Sequence, residues 1–243
     1  MKKIRLLSVC LLFFFACGND ESEATSNVDP IEMQDTTSVD TFAFDFENCP
    51  KAWSLEEAMA APDSFCMVAI LGNDKKLTQI PNELANMPYL RVLDVHANKI
   101  SHIPDFLGEL TELDLSSNQL KSCPTGLENV PNLKTLDLSY NGIEKLDPAI
   151  FALKDLEELR LYDNNIKVLP KELFDMTKLR ELSFSGNPLE EIPSEISQLV
   201  NLESLSLSGM GVGDETLPNS MGNLKAVKTI YLGAIYVNAS PGE

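Results

Sequence analysis

One pattern recurs along most of this chain and leaves its fold little freedom. Leu90-x-x-Leu93-x-Val95-x-x-Asn98-x-Ile100 returns as Leu110, Leu113, Leu115, Asn118 and Leu120. It returns again from Leu133 with Asn141, from Leu156 with Asn164, and from Leu179 with Asn187. Earlier, Phe65, Val68, Ile70 and Asn73 fit it with a two-residue insertion before Leu77; later, Leu202 and Val227 start copies in which Met210 and Ile235 replace the asparagine. The copies start at 65, 90, 110, 133, 156, 179, 202 and 227, with 23 the commonest step. A short unit repeated this often cannot bury its apolar face alone. Stacked on its neighbours, it shares one continuous core.

Each position has a physical reading. The alternation in x-x-Leu-x-Leu-x-x is that of a short strand, with leucines inward and the intervening side chains outward. An asparagine amide both donates and accepts, so Asn73, Asn98, Asn118, Asn141, Asn164 and Asn187 are expected to form a ladder. That ladder would satisfy backbone groups left bare where the strand turns into the core. A second column follows, as Ile80-Pro81, Ile103-Pro104, Cys123-Pro124, Leu169-Pro170 and Ile192-Pro193. Apolar residues then return in steps of three, such as Leu173, Met176 and Leu179, which suits a short helical segment opened by proline. Pro104 is followed only by Leu107 before Leu110, one step fewer, so a turn is missing there.

This spacing resembles the leucine-rich repeat, L-x-x-L-x-L-x-x-N-x-L. The resemblance implies an α/β repeat solenoid: a right-handed arc with a short-stranded parallel sheet on the concave face and short helical or 3-10 turns on the convex face. Proteins of this family mostly bind other proteins through the curved sheet.

A stack exposes its core at both ends. Upstream, Ser54-Leu55-Glu56-Glu57-Ala58-Met59 carries a helix N-cap with glutamate at the capping-box position. Residues 49–64 are therefore expected to form a cap helix, with Trp53 and Leu55 covering the first repeat, and 65–243 a domain of about eight repeats. Cys49 and Cys66 flank the cap and are candidates for a disulfide or for two free thiols. Cys123 stands in a column of isoleucine and leucine and reads as a core residue. After the last repeat no polar cap is evident, which points to an open edge or one covered by a partner.

The N-terminus concerns location. Lys2, Lys3 and Arg5 precede the apolar run Leu6–Ala16, which is shorter than the roughly 20 residues needed to span a bilayer. A basic flank, a short apolar core and a small residue make a secretory signal, here residues 1–16. Phe14-Phe15-Ala16-Cys17 resembles the lipobox of bacterial lipoproteins, which implies lipidation at Cys17. Residues 17–48 then form an acidic tether with nine acids and no base between Gly18 and Asn48, expected to be disordered. Asp20, Glu21 and Glu23 resemble the export signal of Bacteroidetes surface lipoproteins, and Asp35-Thr36-Thr37 resembles a short O-glycosylation motif of that phylum. The expected location is the bacterial outer membrane or cell surface, with membrane contact through the lipid alone.

Charge narrows the partner. Nineteen Lys plus Arg against 37 Asp plus Glu give a net charge of −18, which excludes the basic footprint that nucleic acid needs. From Cys49 onward the chain holds 28 acids and 16 bases, so the repeats are acidic in their own right. Nothing calls for a cofactor or an active site. Gly209-x-Gly211-x-Gly213 lacks the lysine of a phosphate loop, no serine stands in a nucleophile elbow, and His96 and His102 lack metal-ligand spacing.

Function is therefore expected at the outward strand positions. Most are small and hydroxylated. The exceptions are Asp94, His96, Asp114, Asp137, Tyr140, Arg160, Tyr162 and Asp163, and acids with aromatic and arginine residues suit an interface. Asp137 is expected to orient Arg160 as an ion pair across neighbouring strands. The expected activity is non-enzymatic binding of a protein partner carrying a basic patch. The alternative is an intracellular-type signalling scaffold using the same face. Oligomeric state is left open.

Overall fold

A computed structural model describes residues 48–72, 76–209 and 217–232. The signal, Cys17, the acidic tether, Asn73, Met210 and Ile235 lie outside the described residues. Each repeat contributes three extended residues whose central side chain points inward. These are β2 (Met67–Ala69), β3 (Val92–Asp94), β4 (Glu112–Asp114), β5 (Thr135–Asp137), β6 (Glu158–Arg160), β7 (Glu181–Ser183), β8 (Ser204–Ser206) and β9 (Thr229–Tyr231). The cap adds one more, β1 (Lys51–Ala52), so nine parallel strands lie side by side in chain order. The eight copies read from the sequence correspond to β2–β9. The ninth strand comes from the segment expected to be helix alone.

Register stacks like on like. Val68, Leu93, Leu113, Leu136, Leu159, Leu182 and Leu205 pair in succession and are all buried. Their counterpart on β9, Ile230, is 39% exposed because no described strand follows it. Behind the sheet, Val95, Leu115, Leu138, Leu161, Phe184 and Leu207 make a second buried column. The opposite wall consists of 3-10 turns, five residues long at Asn82–Asn86, Pro148–Ala152, Lys171–Asp175, Ser194–Gln198 and Asn219–Asn223, and three at Leu127–Asn129 and at Asp105–Leu107, where the sequence lacks a turn. Apolar steps of three match the 3.0-residue period of a 3-10 helix, and the bonds run accordingly, as Leu173 N–H to Pro170 O and Met176 N–H to Leu173 O. No helix among the described residues is long and apolar enough to cross a membrane.

The cap is built from short-range rules. In α1 (Leu55–Ala60), the Ser54 hydroxyl accepts from the Glu57 amide at 3.1 Å, and the Glu57 carboxylate accepts from the Trp53 amide at 2.7 Å. Ala52 and Ala58 are fully buried and close the first repeat, with Leu55 packed beside them. Trp53 does not. It is 64% exposed because it follows Lys51 by two residues and so shares its outward side; the Lys51 ammonium lies 4.2 Å from its ring centre. A disulfide joins Cys49, before β1, to Cys66, before β2, across a Cα separation of 5.9 Å.

Candidate functional site

The ladder sets how the outward face is held. Asn118 Nδ2 donates to Val95 O and Leu115 O, both at 3.0 Å, and its Oδ1 accepts from Ile100 N–H at 2.7 Å. Asn98, Asn141, Asn164 and Asn187 repeat the scheme one repeat apart. Each amide thus ties its own strand end to the preceding repeat. The chain turns into this amide through a left-handed residue just before it: Ala97, Ser117, Tyr140, Asp163 and Gly186 have φ of 57°, 56°, 51°, 51° and 71°. Two residues expected among the outward strand positions, Tyr140 and Asp163, sit at this turn instead. The tight conversion from strand to ladder requires it.

Three rows of side chains cross the concave face. In the central row, Asp94, Asp114, Asp137, Arg160 and Ser183 follow one another in register on β3–β7. Each aspartate also accepts from the amide two residues on: Asp94 from His96 at 3.3 Å, Asp114 from Ser116 at 2.8 Å and Asp137 from Ser139 at 2.9 Å. The acids therefore shape the strand ends besides charging the surface, a role that composition does not reveal. Lys51 of the cap reaches the far oxygen of Asp94 at 3.6 Å. Among the described residues no basic side chain pairs with Asp114 or Asp137. Asp137 is 8% exposed. Burial pushes its carboxyl above the usual range and the Asp114 charge adds to this, opposed by hydrogen bonding to Ser139 and by the Arg160 charge.

Arg160 does not pair with Asp137. Its guanidinium turns the other way, to Glu158 at 2.5 Å and Glu181 at 3.9 Å. Glu158 is two residues away on the same strand and shares its face, so it meets the guanidinium without leaving the sheet, whereas Asp137 is spent on its own turn. Beside the row, Tyr162 meets Tyr140 edge-on, with ring centres 4.9 Å apart and planes at 90°. Tyr140 thereby rejoins the patch from its turn position, and it stays 55% exposed. Asp163 is exposed and lies toward Gly186, where an added Cβ would stand 2.3 Å from its Oδ1. A depression of about 250 Å³ runs along β3–β6, with Asp94, Asp114 and Asp137 on its floor and Lys51 and Arg160 at its ends.

A second arrangement escapes any reading of single repeats. At the position after each repeat's first leucine, charge alternates as Lys134, Glu157, Arg180, Glu203 and Lys228. Lys134 pairs with Glu157 at 3.7 Å, Glu157 with Arg180 at 4.0 Å, and Glu203 binds both Arg180 and Lys228. These bases are neutralised within the sheet. In the central row, Asp114 and Asp137 have no such partner among the described residues.

Comparison with known proteins agrees with this geometry. A family model described as "Leucine rich repeat" matches residues 131–189 and 154–210, and one described as "Leucine Rich repeats (2 copies)" matches 109–151. The arc is a leucine-rich-repeat solenoid. Among solved structures, the repeat protein is similar to an LRR protein of Leptospira interrogans, at 32% identity and a TM-score of 0.55, over 71% of this chain and 50% of that one. The chain thus spans about half the length of that relative. No curated protein matches. Leucine-rich-repeat domains are typically non-enzymatic modules of protein–protein interaction.

Proposed function

We propose that this repeat protein is a lipid-anchored binding module of a bacterial envelope, which captures a protein partner through its concave sheet. The observation that carries the reading is the row Asp94, Asp114 and Asp137, only partly offset by cations and flanked by the Tyr140–Tyr162 pair. Rigid amphipathic rings beside desolvated charge are what interface anchors use. The partner that fits is a protein with a basic patch, and its association weakens as salt rises. Anchoring is assigned to Cys17 on the outer membrane or cell surface. The Cys49–Cys66 disulfide supports an oxidising compartment over an intracellular scaffold.

The test uses a photo-crosslinking residue at Ser183 on the concave face and, separately, at Lys171 on the convex turns. Cell and host extracts are irradiated and the crosslinked partner is identified by mass spectrometry. One partner should be trapped from Ser183 and not from Lys171. Tyr162→Ala should then lower its affinity by about tenfold, roughly 1.4 kcal/mol. Crosslinks from Lys171 alone, or an affinity that rises with salt, would overturn the reading.

A further inference from the structure

We propose that Asp94, His96 and Asp114 form a binding site for a divalent transition-metal ion on the concave face. The three residues come from two neighbouring strand ends: Asp94 and His96 lie two apart at β3, and Asp114 is the register partner of Asp94 on β4. One donor atom from each falls within 4.8 Å of the others. Zn²⁺ takes imidazole nitrogen and carboxylate oxygen at about 2.0–2.2 Å in a tetrahedral arrangement, so two donors of one ion stand about 3.3–3.6 Å apart. The set closes on an ion of that size by drawing its widest donors together by up to about 1.5 Å and opening the His96–Asp94 contact. One imidazole with two carboxylates is also a donor mix that serves both borderline Zn²⁺ and the harder Mn²⁺.

The surroundings supply what such a site requires. All three residues are half-buried, so their charge is incompletely screened by water. Lys51 stands 3.6 Å from Asp94 Oδ2, on the opposite oxygen from the one that meets His96 Nδ1 at 2.6 Å. The amides of His96 and Ser116 hold one oxygen of Asp94 and one of Asp114, which fixes the carboxylates in place. Three protein donors leave coordination positions on the ion for water or for a donor of a bound molecule.

The chain has two histidines, and this makes the test sharp. His102 faces Thr125 at 2.9 Å, outside the set, and serves as the internal control. Histidine-labelled protein, whole chain, is titrated with Zn²⁺ and then with Mn²⁺, and both imidazole resonances are followed by NMR. Zn²⁺ should shift His96 and leave His102 in place; Mn²⁺ should broaden His96 first. Asp94→Asn with Asp114→Asn keeps the oxygens that cap the strand ends, so the fold is retained, and should weaken the response at least tenfold. Lys51→Met removes the competing ammonium and should tighten binding several-fold. Equal response of the two histidines, or a response unchanged in the double variant, would mean adventitious metal only and would overturn the proposal.

Discussion

Arg160 lies in strand register with Asp137 and points its guanidinium away from it, to Glu158 and Glu181. Asp137 is left buried, with no basic side chain in contact among the described residues. Its carboxyl therefore titrates above the usual range in the folded protein, chiefly because burial penalises the charged form. The folded state favours the protonated acid, so this contribution to stability is present below the ordinary carboxylate pKa and is lost as pH rises through the folded value. Asp137→Asn keeps an oxygen for the Ser139 amide and removes the charge. The variant should melt higher than wild type at pH 7.5, with the difference shrinking at pH 4. A difference that is flat with pH would refute it.

Asn141 sits mid-ladder, where its Oδ1 accepts from both Asn118 N–H and Leu120 N–H at 2.9 Å. Asn141→Leu keeps the size and strands those two donors, while the Leu115 and Leu138 carbonyls keep their bonds from Asn118 and Asn164. The expected cost is about 1–3 kcal/mol, read as a lower midpoint in urea unfolding. An unchanged midpoint would remove the ladder from the stability argument.

The left-handed turn before each ladder amide is occupied by alanine at 97 and by glycine at 186. Only glycine adopts that conformation without strain, and other residues there cost roughly 1–2 kcal/mol. Ala97→Gly should raise the thermal midpoint. Gly186→Ala should lower it, more than conformation alone explains, because the new Cβ would meet the Asp163 carboxylate. If both changes move the midpoint in one direction, the strain account fails.

Anchoring rests on Phe15-Ala16-Cys17 after the apolar run. Cys17→Ala should abolish metabolic labelling with palmitate and release the protein from the membrane fraction. Persistent labelling of the variant would sink that assignment.

The repeat frame was legible because burial dictates it. Leu136 has no exposed alternative in its column, and Asn164 has no other way to serve its backbone neighbours. Of the eight outward residues singled out from sequence, Asp94, Asp114, Asp137 and Arg160 share one row, while Tyr140 and Asp163 sit at the turns, and the chemistry of the face was less legible. Whether Arg160 meets Asp137 or Glu158 is a rotamer choice within one charged face, and sequence does not distinguish two acids at similar reach. The left-handed turns carry no signature at Ala97, Ser117 or Tyr140, because the ladder imposes them against local preference. Trp53 was misplaced because a large apolar ring suggests burial. The two-residue alternation from buried Ala52 puts it outside.

The alternating charges from Lys134 to Lys228 give the solenoid a parity. Each repeat there meets a neighbour of opposite sign, so deleting or duplicating a single unit between them would set like beside like. Losing or gaining two at once would restore the sequence of signs. Exposed pairs contribute only about 0–1 kcal/mol each, yet a mismatch converts two attractions into repulsion at a joint that must also pack. Repeat arrays grow and shrink by copying whole units, and along this stretch the arithmetic favours changes made in twos.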